Sequence, residues 1–104
     1  MDNNMTFLNA CRNGQKGIVL IFLKKGGIDV NKRDAEGNTP LHYACLKGYR
    51  DIVNLLLDSE ADATIANNLS ETPLHAASRS GNKEIIGKLL QYGADIDATD
   101  SDGR

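Results

Sequence analysis

Apolar positions along this chain alternate between two densities. Leu41, Ala44 and Cys45 fall at i, i+3 and i+4, one narrow apolar face of a helix. Ile52, Val53, Leu55, Leu56 and Leu57 then form a dense run. That is too many apolar residues for a single stripe, so the second helix has to be covered on both sides. Polar residues punctuate the pattern. Asp34-Ala35-Glu36-Gly37-Asn38 is turn chemistry, with Asp for a local side-chain bond and Gly for a positive φ. Thr39 stands as an N-cap and Pro40 at the first helical position. Gly48 ends this helix, and the second is predicted from Arg50 or Asp51 to Asp58.

The same grammar recurs. TPLH occurs at Thr39–His42 and again at Thr72–His75, 33 residues apart. In the later copy Thr72 caps, Pro73 starts the helix, Leu74, Ala77 and Ser78 form its inner face, and Gly81 stops it. Asn82 caps the next helix, which buries Ile85, Ile86, Leu89 and Leu90. An earlier, degenerate copy starts at Met5, with Gly14 and the run Ile18–Leu23 aligning to Gly48 and Ile52–Leu57 at an offset of 34. Helices of eight to ten residues are marginal alone in water, so each depends on neighbours to cover it. Repetition at this period predicts a stack of copies of one small unit.

These residues resemble the ankyrin repeat family, whose pattern is D-x-x-G-x-TPLH-x-A-x-x-x-G, an E-I-V-x-x-LL run and GAD-V-N-A. The likeness covers residues 5–104. It implies an all-α solenoid of helix-turn-helix units with β-hairpin-like loops, forming one domain over residues 1–104. Its units are expected at about 3–33, 34–66 and 67–99, with residues 100–104 opening a fourth. Three departures stand out. Glu60 replaces the helix-ending Gly, so this end is expected to fray or to find another cap. Asn67 and Ser70 replace the Asp and Gly of the third turn, which should weaken it. Gly87 lies inside a helix at a cost of about 1 kcal/mol. If residue 104 is the natural end, Ile85, Ile86 and Leu89 lack a covering unit, and self-association through the C-terminal face is expected.

Composition narrows the function. A net charge of −2 supplies no basic field for nucleic acid and no membrane patch. The longest apolar run, Ile18–Leu23, is far short of the roughly 20 residues a bilayer needs. Met1-Asp2-Asn3-Asn4 has no export-signal pattern. An intracellular site, cytoplasmic or nuclear, is therefore the expectation, with a secreted effector acting inside a host cell as the variant. Cys11 and Cys45 fit a reducing compartment as free thiols.

Catalytic and metal readings find little support. His42 and His75 occupy the same place in successive units, roughly 10 Å apart by helix stacking, too far to share one zinc. The resemblance gives this His a structural role, bridging neighbouring loops. Cys11 and Cys45 are likewise too far apart for a disulfide. Asp34, Asp62, Asp95 and Asp100 recur at loop positions and read as turn builders. No catalytic or phosphate-binding motif is present, so no enzyme activity, cofactor or metal is expected.

Function is then assigned to positions that the repeat leaves free. By the resemblance these are the loop tips and the outward side of each first helix, a concave strip that binds another protein. Here they are Arg12 and Asn13, then Ala35, Glu36, Asn38, Leu46 and Lys47, then Asn68, Leu69, Glu71, Arg79 and Ser80. Leu46 and Leu69 are apolar where exposure is expected, with Lys47 and Arg79 beside them, as in an anchor ringed by charge. Asn31 resembles the asparagines that a hydroxylase modifies in such repeats. The expected function is a non-catalytic protein-interaction module. The alternatives are a targeting segment of a larger enzyme or effector, and a structural or self-assembling spacer.

Overall fold

A computed structural model describes residues 2–103. Met1 and Arg104, the ends of the expected domain and of the fourth opening, lie outside the described residues. The described residues form six helices: α1 (Asn3–Arg12), α2 (Lys16–Lys25), α3 (Pro40–Lys47), α4 (Arg50–Asp58), α5 (Pro73–Ser80) and α6 (Lys83–Gln91). They pair as α1 with α2, α3 with α4, and α5 with α6. Across pairs, α3 packs on α1 and α5, while α4 packs on α2 and α6, giving two helical layers. The loops between pairs close as turns, with no strand among the described residues.

Local chemistry sets the helix ends. The His42 amide donates to Thr39 Oγ1 at 3.3 Å, and Asn82 Oδ1 accepts from the Ile85 amide at 3.1 Å. Gly48 and Gly81 end α3 and α5 with φ of 74° and 73°. The first helix starts before Met5, because Asp2 Oδ1 accepts from the amides of Asn4 and Met5 at 2.9 and 3.4 Å. A carboxylate there satisfies two orphan amides and opposes the helix dipole.

The core runs continuously through all three pairs. Phe7, Val19, Leu41, Val53, Leu56, Ile85 and Leu89 are buried in it. Leu55 is half-buried against the same cluster. Burying one such side chain contributes about 2 kcal/mol, which is how helices this short persist. Ile85 and Leu89, expected to lack cover at the C-terminal end, are buried against the preceding pair. Leu90, expected in the buried face of α6, is instead exposed, together with Tyr92 and Ile96, and Ile86 is half-buried. Ile96 is 72% exposed, whereas Ala63, its equivalent one unit earlier, is 2% exposed.

Two expected weaknesses do not materialise. Glu60 takes the left-handed backbone itself, at φ 68°, and its amide bonds the Leu57 carbonyl at 3.1 Å. The end of α4 is therefore closed rather than frayed. Ser70 likewise adopts φ 61°, and Asn67 Oδ1 accepts from the Leu69 and Glu71 amides at 2.9 and 3.0 Å. Asp34 makes the same pair of bonds to Glu36 and Asn38. An amide oxygen substitutes for a carboxylate oxygen, so the third turn keeps its form.

Candidate partner-binding groove

Successive loop tips are tied to one another. The Asn68 amide donates to the Glu36 carbonyl at 3.0 Å, and the Ser101 amide to the Leu69 carbonyl at 3.0 Å. Asn68 Nδ2 adds a bond to the Ala35 carbonyl at 2.9 Å, and Arg33 Nη2 reaches the Ala66 carbonyl at 2.9 Å. Gly37 allows this close approach. A Cβ there would lie 2.5 Å from Asn68 Oδ1 and 2.8 Å from its amide nitrogen. The tips thus form one wall, and the exposed ends of α1, α3 and α5 form the other.

His42 joins the two walls. Its Nδ1 accepts from the Thr39 amide at 3.0 Å, and its Nε2 lies 2.8 Å from the Glu71 carbonyl. An amide can only donate and a carbonyl can only accept, so the ring is neutral and protonated at Nε2. Burial, above all, holds its pKa below the ordinary value. His75 Nδ1 accepts in the same way from the Thr72 amide at 3.0 Å. Each histidine faces its own unit's cap, and they do not converge.

The floor is a network of satisfied polar groups. The Tyr43 hydroxyl donates to Asp34 Oδ2 and accepts from Asn38 Nδ2 at 3.3 Å. Asn67 Nδ2 donates to Asn38 Oδ1 at 2.8 Å. Burial raises the Asp34 pKa, but the bonds from Tyr43, Asn38 and Glu36 outweigh it and hold the carboxyl low. Both oxygens of Glu71 accept from Arg79, one at 3.1 Å, which depresses the Glu71 pKa. Arg12 lies over the Tyr43 ring, 4.8 Å from its centroid.

An open groove of about 590 Å³ runs between the walls. Of the residues assigned from sequence, Arg12, Ala35, Glu36, Asn38, Leu46, Asn68, Leu69, Glu71 and Arg79 line it. Asn13 caps α1, Lys47 ends α3, and Ser80 Oγ bonds the Ala77 carbonyl at 2.8 Å; these three are outside the lining. His42, Tyr43, Asn67 and Ala76 line the groove and were not assigned. Tyr43 carried a usable signal, an aromatic at the free position of TPLH-x-A. Leu69 is 63% exposed and Leu46 39%.

The remaining asparagine and aspartate candidates make bonds within the stack. Asn31 Oδ1 accepts from the Asp62 amide at 2.8 Å, linking two units. Asp62, Asp95 and Asp100 each cap their own turn through Oδ1. Cys11 and Cys45 are buried, and burial pushes both thiols up to about 12.

The family model for ankyrin repeats, three copies, matches residues 7–100. This chain belongs to the ankyrin repeat family. Among its relatives, an ankyrin repeat protein of fowlpox virus (strain NVSL) is 50% identical over 60 residues, covering 58% of this chain and 13% of the relative. BCL-6 corepressor-like protein 1 of Homo sapiens is 49% identical over 53 residues, 51% of this chain and 3% of the relative. Protein phosphatase 1 regulatory subunit 27 of Mus musculus is 47% identical over 47 residues, 45% of this chain and 30% of the relative. The ankyrin match therefore spans less than a third of each of these proteins. Ankyrin repeats are in general protein-interaction modules rather than catalysts. No helix of the described residues is long and apolar enough to cross a membrane.

Proposed function

We propose that this ankyrin stack is a non-catalytic module that binds a partner protein through the groove between its loop tips and first helices. The observation that carries this reading is that the two exposed leucines, Leu46 and Leu69, line the same groove. Around them Asn38, Tyr43, Asn67 and Asn68 are hydrogen-bonded to the protein itself. Such a surface loses little on desolvation and gains from apolar contact, as in the core of an interface. A pull-down with the full chain, beside a Leu46→Ala/Leu69→Ala variant of unchanged helicity, tests it. A partner retained by the parent and lost by the variant supports the groove. Equal retention by both overturns it.

The length of the relatives favours a module serving a larger protein as its recognition segment, and a regulatory subunit among them fits that role. An intracellular setting, including action inside a host cell, accords with two buried free thiols and a viral relative. Asn31 stays the candidate for hydroxylation, read by intact mass after treatment with an asparagine hydroxylase. Self-association is a second reading, favoured by the exposure of Ile96 and Leu90 at the C-terminal end.

A further inference from the structure

Arg12, Leu46 and Arg79 occupy one position in successive units, each two residues before the glycine that follows its helix. The two arginines differ in what they hold. Arg79 is neutralised by both oxygens of Glu71. Arg12 stacks on Tyr43 and makes no hydrogen bond or ion pair among the described residues. Its guanidinium donors are therefore unused, beside a ring whose hydroxyl is already committed to Asp34 and Asn38. On the opposite wall Glu36 and Leu69 share one tip position in successive units, and Glu36 likewise has no cationic partner there. The groove thus presents at one unit a cation whose donors are unused, though it lies in the field of Asp34, an aliphatic pair further along, and an acid on the far wall.

Resting on the groove as the binding face, we propose that its ligand is a polyproline II segment of a partner protein. That segment carries an acidic side chain on Arg12 and, three residues away, an aliphatic side chain between Leu46 and Leu69. The spacing follows from the stack. Equivalent positions on neighbouring helices recur about every 8–10 Å. A polyproline II chain returns a side chain to the same side every three residues, about 9 Å. A β-strand returns one every two residues, about 7 Å, and drifts out of step. Strand addition also needs a free edge, and the tip amides of Asn68 and Ser101 are already used between units. A polyproline II chain keeps its own backbone solvated and asks for no such edge. A carboxylate meets the fork of Arg12 with two parallel bonds, while Glu36 disfavours a second acid near the aliphatic residue.

The test is a phage-displayed random peptide library selected on the full chain, on Arg12→Glu and on Leu46→Ala/Leu69→Ala, each checked for helicity by circular dichroism. The expected outcome is a consensus with an acid and an aliphatic residue three apart. A synthetic consensus peptide should lose about tenfold in affinity when the acid becomes Gln or is moved by one residue. Arg12→Glu should select a basic residue at that same place. A consensus that keeps the aliphatic residue but ignores residue 12 overturns this inference and leaves the groove standing. Peptides held equally by the leucine variant, or no enriched peptide at all, overturn both.

Discussion

His42 in α3 donates from Nε2 to the Glu71 carbonyl, 29 residues later, at 2.8 Å. This bond ties the first helix of one ankyrin unit to the loop of the next, while Nδ1 accepts from the Thr39 amide, a bond that only the neutral ring can make. Removing the ring leaves the buried Thr39 amide without its acceptor. His42→Ala should therefore cost about 1–3 kcal/mol in urea unfolding.

Stability should also depend on pH through this residue. The unfolded ring titrates at its ordinary 6.5 and the folded ring below it. Between those values the unfolded chain binds more protons, so stability rises with pH. The contribution is complete above 6.5 and is lost as pH falls through the folded value. Thermal melts taken downward from neutral pH should show this decline, and His42→Gln should flatten it.

Glycine exchanges should act with opposite signs at equivalent positions. Gly37→Ala places a Cβ against Asn68 at φ 81° and should destabilise by about 2 kcal/mol or more. Ser70→Gly and Glu60→Gly remove a side chain from left-handed backbone and should each stabilise by up to about 1 kcal/mol. Chemical denaturation of the three variants reads the difference.

Both cysteines should be inert in the folded state. They are fully buried, with thiols pushed up to about 12, and only the thiolate reacts. Iodoacetamide at mildly alkaline pH should leave the native mass unchanged and add two labels after denaturation. Rapid labelling of the native chain would show an opening of the α1–α3 interface.

The C-terminal face should set the oligomeric state of this chain. Ile96→Ser should barely change stability, since the side chain is 72% exposed. Leu89→Ala, in the core, should cost about 3 kcal/mol. Sedimentation over a range of concentrations should show association that Ile96→Ser/Leu90→Ser weakens. Association unchanged in that variant would assign it to another surface.

The helices were legible because their signals are local. Thr39, Pro40 and Gly48 bracket α3 within a few residues, and the dense run of α4 announces two-sided burial. The groove was legible in part. Loop tips and helix ends are exposed in any such stack, which brought out Leu46 and Leu69. Tyr43 was missed because its value lies in what it touches: Asp34 nine residues back and Arg12 in another unit.

What the amino-acid sequence determined by itself was the repeating unit, its helix caps and turns and most of its core, because those depend on bonds and periodicities a few residues long; the exposure of Ser78 and Leu90 was not among them. Only the tertiary structure decided that Arg79 is spent on Glu71 while Arg12 stacks on Tyr43 with its donors unused, that Glu60 and Ser70 hold a glycine's backbone, and that Ile96 rather than Ile85 meets solvent. Each of these depends on which side chains meet across the stack, and sequence spacing does not encode that distance.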